Sequence, residues 1–212
     1  MVDLERVQKL IGSHLSAPAD KTRERILLSA KKRILDEGFA KLTIGELCHG
    51  LRISKKTFYK YFNDKDDLVR GIMAENFKQF VPAVVKVGDP ELPPQERLEA
   101  LHHFIFDVLA VNVSIPFLRD LQILMPELWE LTEDLRRMQA ANIAKIIEDG
   151  QKTGIYRVDL DPDKIARFLL VVMTRLIDPK TLYDHGLQLE DVARILFSLL
   201  EGGLITGPKE EA

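Results

Sequence analysis

One cysteine and one tryptophan stand among 212 residues. A lone thiol, Cys48, cannot form an internal disulfide, which points to a reducing cytoplasm as the expected location, and its place in an apolar helical stretch suits a buried small hydrophobe. No apolar run approaches the roughly 18 residues of a membrane span, and no secretory segment opens the chain. Also missing are a Gly-rich phosphate loop, a GxSxG turn, an HExxH helix and a pair of acids set apart in an apolar context, so the chain has no sequence support as an enzyme. His102 and His103 are neighbours and point about 100° apart on a helix, with no second His or Cys at ligand spacing, so no metal or cofactor is expected. His14, His49 and His185 carry no ligand pattern. Strand-like alternation is absent as well, and the fold expected is all-α.

What is present is a 46% hydrophobic chain, long enough for one small and one medium domain with real cores. The net charge of −3 is unevenly spread. Residues 20–70 hold 13 Lys and Arg against 8 Asp and Glu, residues 1–19 hold two of each sign, and residues 71–212 hold 15 against 23. A basic N-terminal module on an acidic body is the asymmetry expected of a DNA reader that keeps its larger part off the phosphates.

The run SKKTFYKYF, residues 54–62, lies in that basic module. Ser54 suits a helix N-cap, because its hydroxyl can accept a hydrogen bond from a first-turn N–H. Phe58 and Phe62, four apart, share one helical face and can anchor it, leaving Lys55, Lys56, Tyr59 and Lys60 to point elsewhere. Lysine and tyrosine can bond phosphate oxygens, and Lys56 or Thr57 near the N-terminus of a groove-reading helix could reach base edges. A merely solvated charged helix is the alternative for these nine residues alone.

The flanks favour DNA. Thr43 caps a second short helix, Ile44 to about Gly50, with Ile44, Leu47 and Leu51 at helical spacing, and the two helices joined near Arg52 make a helix-turn-helix. Residues 22–37 form a longer helix with Ile26, Leu27, Ala30, Ile34 and Leu35 inward and Gly38 at its C′ position. Asn63 and Asp64 break the recognition helix, and Asp66 and Asp67 suit the first turn of the next one, packed by Leu68 and Ile72.

The segment GFAKLTIGELCHGLRISKKTFYKYFNDKDDL, residues 38–68, resembles the DNA-binding segment of the TetR family of prokaryotic transcriptional regulators. Gly38, Phe39, Thr43, Ser54, Phe58, Tyr59, Tyr61 and Phe62 fill the family's places. Arg52 departs from it, standing where the family commonly has glycine. Either the position has positive φ and arginine is modestly strained there, or Arg52 is an extra phosphate contact. The resemblance implies about nine helices in three parts: an extension at 1–19, a three-helix helix-turn-helix DNA-binding domain at 20–65, and a helical effector-binding and dimerisation domain at 66–212. The DNA-facing set is Thr43, Arg52, Ser54, Lys55, Lys56, Thr57, Tyr59, Lys60, Tyr61 and Lys65. It also implies a repressor that binds a palindromic double-stranded operator and is released by a small molecule. The competing classes are an effector-independent DNA-binding protein and an enzyme.

The rest of the chain reads as helices over about 66–87 with Pro82 ending or kinking it, Pro94–Asn112, Ile115–Leu124, Pro126–Lys152, from Asp161–Pro162, and near Leu189–Leu204, with a turn at 179–184. Residues 2–15 form either an amphipathic turn or two, through Leu4, Val7, Leu10 or Ile11 and Leu15, or a disordered extension. The last two long helices, the eighth and ninth of the family layout, are apolar over most of their circumference, which calls for a partner. By resemblance they pair with their copies in a homodimer, through Ile165, Phe168, Val172, Leu176, Val192, Ile195, Leu196 and Leu199. The effector set is Phe80, His102, Phe106, Met125, Trp129, Met138, Asn142 and Met173, and its apolar walls favour a hydrophobic ligand. Asn142 on an apolar face needs a partner, which could be a ligand, a backbone group or water. Of the two adjacent histidines, His102 faces positions 98, 105 and 109.

Overall fold

The structure, a computed structural model, describes residues 4–105, 112–176 and 179–204, and among them it is helical without strands. The chain divides into two compact units, comprising the described parts of Val2–Gln79 with Asn112–Thr132, and of Phe80–Val111 with Glu133–Ala212. The whole 20–65 segment lies within the first.

That first unit opens with α1 (Leu4–Leu15), so the extension is an ordered helix. Val7 and Ile11, four apart, are buried, and Arg6 pairs with Glu130 at 3.2 Å. Asp20 starts α2 (Lys21–Glu37) by accepting from the N–H groups of Thr22 and Arg23. Ile26, Leu27, Ala30 and Ile34 form the buried stripe of α2. Gly38 ends it at φ 84°, donating its N–H to the Ile34 carbonyl at 2.9 Å. A Cβ at Gly38 would lie 2.3 Å from an Asp120 carboxylate oxygen, so close approach as well as φ requires glycine there. Thr43 caps α3 (Ile44–Leu51), which buries Leu47 and Cys48.

Ser54 caps α4 (Lys55–Phe58), a single regular turn. The recognition segment was expected to stay helical to Phe62. After Phe58 it continues instead in tighter turns, Lys60 N–H bonding the Thr57 carbonyl and Tyr61 N–H the Phe58 carbonyl. α5 (Lys65–Gly88) runs through Pro82 without ending, its residues to Gln79 in the first unit and the rest in the second. Proline removes one backbone donor but already holds helical φ. α7 (Ile115–Leu124), capped by Ser114, and the start of α8 (Pro126–Lys152) complete the first unit. Phe39, Phe58, Phe62, Phe117, Leu121 and Met125 are among its core residues.

The second unit holds α6 (Pro94–His103), the rest of α8, α9 (Pro162–Leu176), α10 (Pro179–Asp184) and α11 (Leu189–Leu204). Asp161 accepts from the Lys164 N–H to cap α9, as the Asp-Pro pair implied. α6 is α-helical to His103, beyond which the chain passes into a wider π-type turn at Phe104 and Ile105; of the expected Pro94–Asn112 helix, residues 106–111 lie outside the described ones and Asn112 is helical.

Candidate nucleic-acid interface

Phe58 and Phe62 are buried at 0% and 1% exposure, their ring centroids 5.7 Å apart, and they fix the recognition segment to the first unit's core. The opposite side carries Lys55, Lys56 and Lys60, all exposed, and Tyr59 at 52% exposure with its ring edge-on to Phe58. Among the described residues these three ammonium groups form no ion pair with the chain's own carboxylates. Three cations on one side of a helix-turn-helix are therefore free for phosphate oxygens.

The other expected contacts sort by geometry. Ser54 accepts the Thr57 N–H at 3.0 Å, and the two hydroxyls bond each other at 2.9 Å, so Thr57 is half-buried and locally engaged. This weakens its claim as a base reader beside Lys56. Thr43 is exposed while its hydroxyl accepts the Glu46 N–H at 3.2 Å. Tyr61 is half-buried against the core. The Asp20 carboxyl lies below the usual range, chiefly through the Arg23 backbone N–H, with Tyr61 and Thr22 adding to it. Lys65 is half-buried and donates to the Ala40 carbonyl at 3.3 Å, which ties it to the turn before α3. Arg52 is exposed at φ 54°, ψ 44°, and is the one non-glycine at positive φ among the described residues. Burial pushes the Cys48 thiol up, with Lys55 opposing, so it stays protonated.

Asp120 was not anticipated as a structural tie. Its carboxylate is 3% exposed, accepts the Ala40 N–H at 2.7 Å and pairs with Arg119, fixing the loop between α2 and α3 to α7. Its neighbours in FLRDLQIL give the sequence signal, an acid on an otherwise apolar helical stripe.

The expected effector set is divided between the two units. Met125 is 1% exposed, in the core of the first unit, and Trp129 packs against that core. Phe80 lies in the second unit, edge-on to Phe104 at 5.6 Å. His102 is exposed, its ring tilted 37° against Phe197 with centroids 4.6 Å apart, which corrects its assignment to an inward apolar face. Met138 and Asn142 are half-buried in the same unit. Asn142 donates to the Gln139 side-chain oxygen at 2.9 Å, so the amide finds a side chain. Gln139 is 9% exposed and its Nε2 has no partner. Its spacing from Leu135 and Asn142 could have revealed it. Phe106 and the Met173 side chain lie outside the described residues. Arg97, also unforeseen, is 1% exposed, donating to the Val87 carbonyl at 3.0 Å and pairing with Asp149 at 2.9 Å.

On α9 and α11 large apolar side chains remain uncovered: Phe168 is 62% exposed, Val171 60%, Ile195 53% and Leu199 67%. Ile165, Val172 and Leu196 are half-buried. Val192 is 3% exposed and faces inward, a correction to its placement on the dimer face. The Leu176 side chain lies outside the described residues.

A capped two-helix reader with free cations defines a helix-turn-helix DNA-binding protein. Residues 26–72 match the model for bacterial regulatory proteins of the tetR family. The repressor NicS of Pseudomonas putida is 27% identical over 146 residues, covering 67% of this chain and 69% of that protein. The repressor DhaR of a Mycobacterium species is 23% identical, covering 70% and 76%. The TetR-family regulator PfmR of Thermus thermophilus superposes at TM-score 0.59 with 25% identity, over 86% of this chain and 100% of that one. A regulator from Saccharomonospora viridis, solved with choline, gives TM-score 0.62 at 22% identity, over 88% and 99%. Residues 26–72 are thus similar to the DNA-binding segment of the TetR family, and over most of its length the chain is similar to transcriptional regulators. Relatives named as transcriptional repressors support the regulation of transcription through DNA binding. No helix among the described residues is long and apolar enough to cross a membrane.

Proposed function

We propose that the protein is a cytoplasmic repressor that binds a palindromic operator as a homodimer and leaves it when a small hydrophobic effector binds. The observation that carries this reading is the unpaired trio Lys55, Lys56 and Lys60, opposite the buried Phe58 and Phe62. Each protomer puts the recognition segment into a major groove, with Lys56 the favoured base reader and the lysines on phosphates. The repressor relatives support repression over activation.

The exposed Phe168, Val171, Ile195 and Leu199 supply the dimer face, since so much apolar surface is stabilised by a second copy. The effector site lies in the second unit near Phe80, Met138 and Asn142. The Gln139 amide favours an apolar effector carrying one hydrogen-bonding group. We retain 20–65 as the DNA-binding domain and 66–212 as the effector and dimerisation domain. α5 carries the signal, since it contributes to both units. Two recognition segments on one side of B-DNA must sit about 34–36 Å apart or a multiple of it, and effector and operator weaken each other by an equal factor.

Selection of bound duplexes from a random DNA pool tests the reading. The expected result is an inverted repeat with half-sites one helical turn, or a multiple, apart. Enrichment of asymmetric sites would remove the dimeric operator, and no enrichment would remove specific DNA reading altogether.

A further inference from the structure

Helix α1 precedes the segment that matches the family model, yet it reaches the end of the recognition segment through one side chain. His14, in the last turn of α1, is 6% exposed. Its Nδ1 lies 3.2 Å from Arg23 Nη2, and its Nε2 lies 2.8 Å from Asp67 Oδ1. A guanidinium has only protons to offer, so Nδ1 must accept, and the imidazole proton is on Nε2, donated to Asp67. Arg23 is itself 7% exposed and reaches Glu75 at 3.4 Å with its other nitrogen.

Asp67 passes the restraint on. Its second oxygen accepts both the backbone N–H of Asn63, at 2.8 Å, and the Asn63 side-chain amide, at 3.1 Å. Asn63 directly follows Phe62, the rear anchor of the recognition segment. Phe62 is also gripped from the side: the His14 ring stacks on it with centroids 6.0 Å apart and 21° between planes, and the Arg23 guanidinium sits 5.7 Å from its centroid. At Gly71 a Cβ would come within 2.9 Å of the Phe62 ring and 3.4 Å of His14 Nδ1, so the grip is closely packed.

We infer that His14 is a positioning residue for DNA recognition, and that α1 is thereby a working part of the DNA-reading unit. Hydrogen bonds run from Glu75 through Arg23, His14 and Asp67 to Asn63, and fix where Tyr59 and Lys60 stand relative to α5. The inference rests on the DNA-reading role of the segment around α4. Glutamine can replace the Nε2 donor toward Asp67, and alanine cannot. His14→Ala leaves a part-buried carboxylate oxygen and a buried guanidinium nitrogen short of a partner, and the freed junction lets the recognition segment shift.

The test uses the full-length protein and the duplex it selects from the random pool. His14→Ala should weaken that duplex's binding about tenfold, the effect of one buried charge-assisted hydrogen bond. His14→Gln should return affinity to within about threefold of the parent, by the same donor argument. Ile34→Val, a core change in α2, lowers melting temperature without touching the relay, and should leave affinity unchanged. A long-range proton–nitrogen spectrum of the free protein should show His14 protonated on Nε2 alone.

An Nδ1–H signal would overturn the inference, as would a His14→Gln protein as weak as His14→Ala. It would also fail if affinity fell in step with melting temperature in Ile34→Val. A parent protein that selects no duplex would defeat the DNA-reading role itself, and the nitrogen spectrum would still decide the relay.

Discussion

Arg52→Gly separates the two roles open to this residue, a strained turn and a phosphate contact. Arg52 closes α3 at φ 54°, ψ 44°, its N–H bonding the carbonyls of Cys48 and His49, so the turn itself is made by backbone. An L-residue in the left-handed region costs about 1–2 kcal/mol relative to glycine. Glycine in turn gives the unfolded chain about 0.4–1 kcal/mol more conformational entropy to lose. The difference favours the glycine variant by roughly 0.5–1 kcal/mol, a rise in melting temperature of about 1–4 °C for a chain of this length. Urea unfolding followed by far-ultraviolet circular dichroism measures it, with an unchanged slope against denaturant as the check that only the folded state was altered. Arg52→Ala is the control, because alanine keeps the Cβ and hence the strain while removing the guanidinium. If that guanidinium meets a phosphate in each protomer, both variants should flatten the slope of log affinity against log salt by about 1.8. A glycine variant less stable than the alanine variant would refute the argument from backbone strain. An unaltered salt slope would remove Arg52 from the DNA-facing set.

With Lys65 held on the Ala40 carbonyl, Lys55, Lys56 and Lys60 from two protomers neutralise about six phosphates, and the salt slope in fluorescence anisotropy should be roughly −5. A slope near −2 would dismiss the lysine assignment. Asp120→Ala removes the charge-assisted hydrogen bond from the Ala40 N–H to a buried carboxylate and should cost about 1–3 kcal/mol in urea unfolding. A loss below about 0.5 kcal/mol, within the range of ordinary surface changes, would show that the loop does not depend on that carboxylate. Phe168→Asp places a charge on the exposed face of α9 and should yield monomers in sedimentation at micromolar concentration. A dimer that survives both this change and Ile195→Asp would move the interface elsewhere.

Local chemistry was readable from the residues, and tertiary partnership was not. Ser54, Thr43 and Asp161 cap the helices they were expected to cap, since a side-chain oxygen and an N–H two or three residues on need nothing else from the chain. Proline marked the starts of α6, α7, α8 and α9 for a similarly local reason. Gly38 and Arg52 announced the two bends of the DNA-reading core. The buried partnership of His14 and Arg23, nine positions apart on different helices, has no such short-range signature.

Periodicity has a related limit, which α8 displays. Its apolar stripe runs evenly through Leu128, Leu131, Leu135, Met138 and Ile146, and so reads as one face against one neighbour. Leu128 and Leu131 instead join Met125 and Phe117 in the core of the first unit, while Ile146 is buried in the second. A helical repeat fixes the direction in which a side chain leaves the axis, but not what waits there. Trp129 was therefore drawn to a ligand by chemistry alone, although its position sets it in the first unit, on the DNA-reading core. The polar members of the same stripe deserve the opposite treatment. Gln139 and Asn142 are too costly to bury as filler, and in the second unit they bond each other with one donor left over. If an effector enters this unit, that spare amide is the group most able to discriminate among apolar molecules of similar size. A site built to hydrogen-bond a ligand rejects the analogue that lacks the matching atom far more strongly than it rejects a missing methylene.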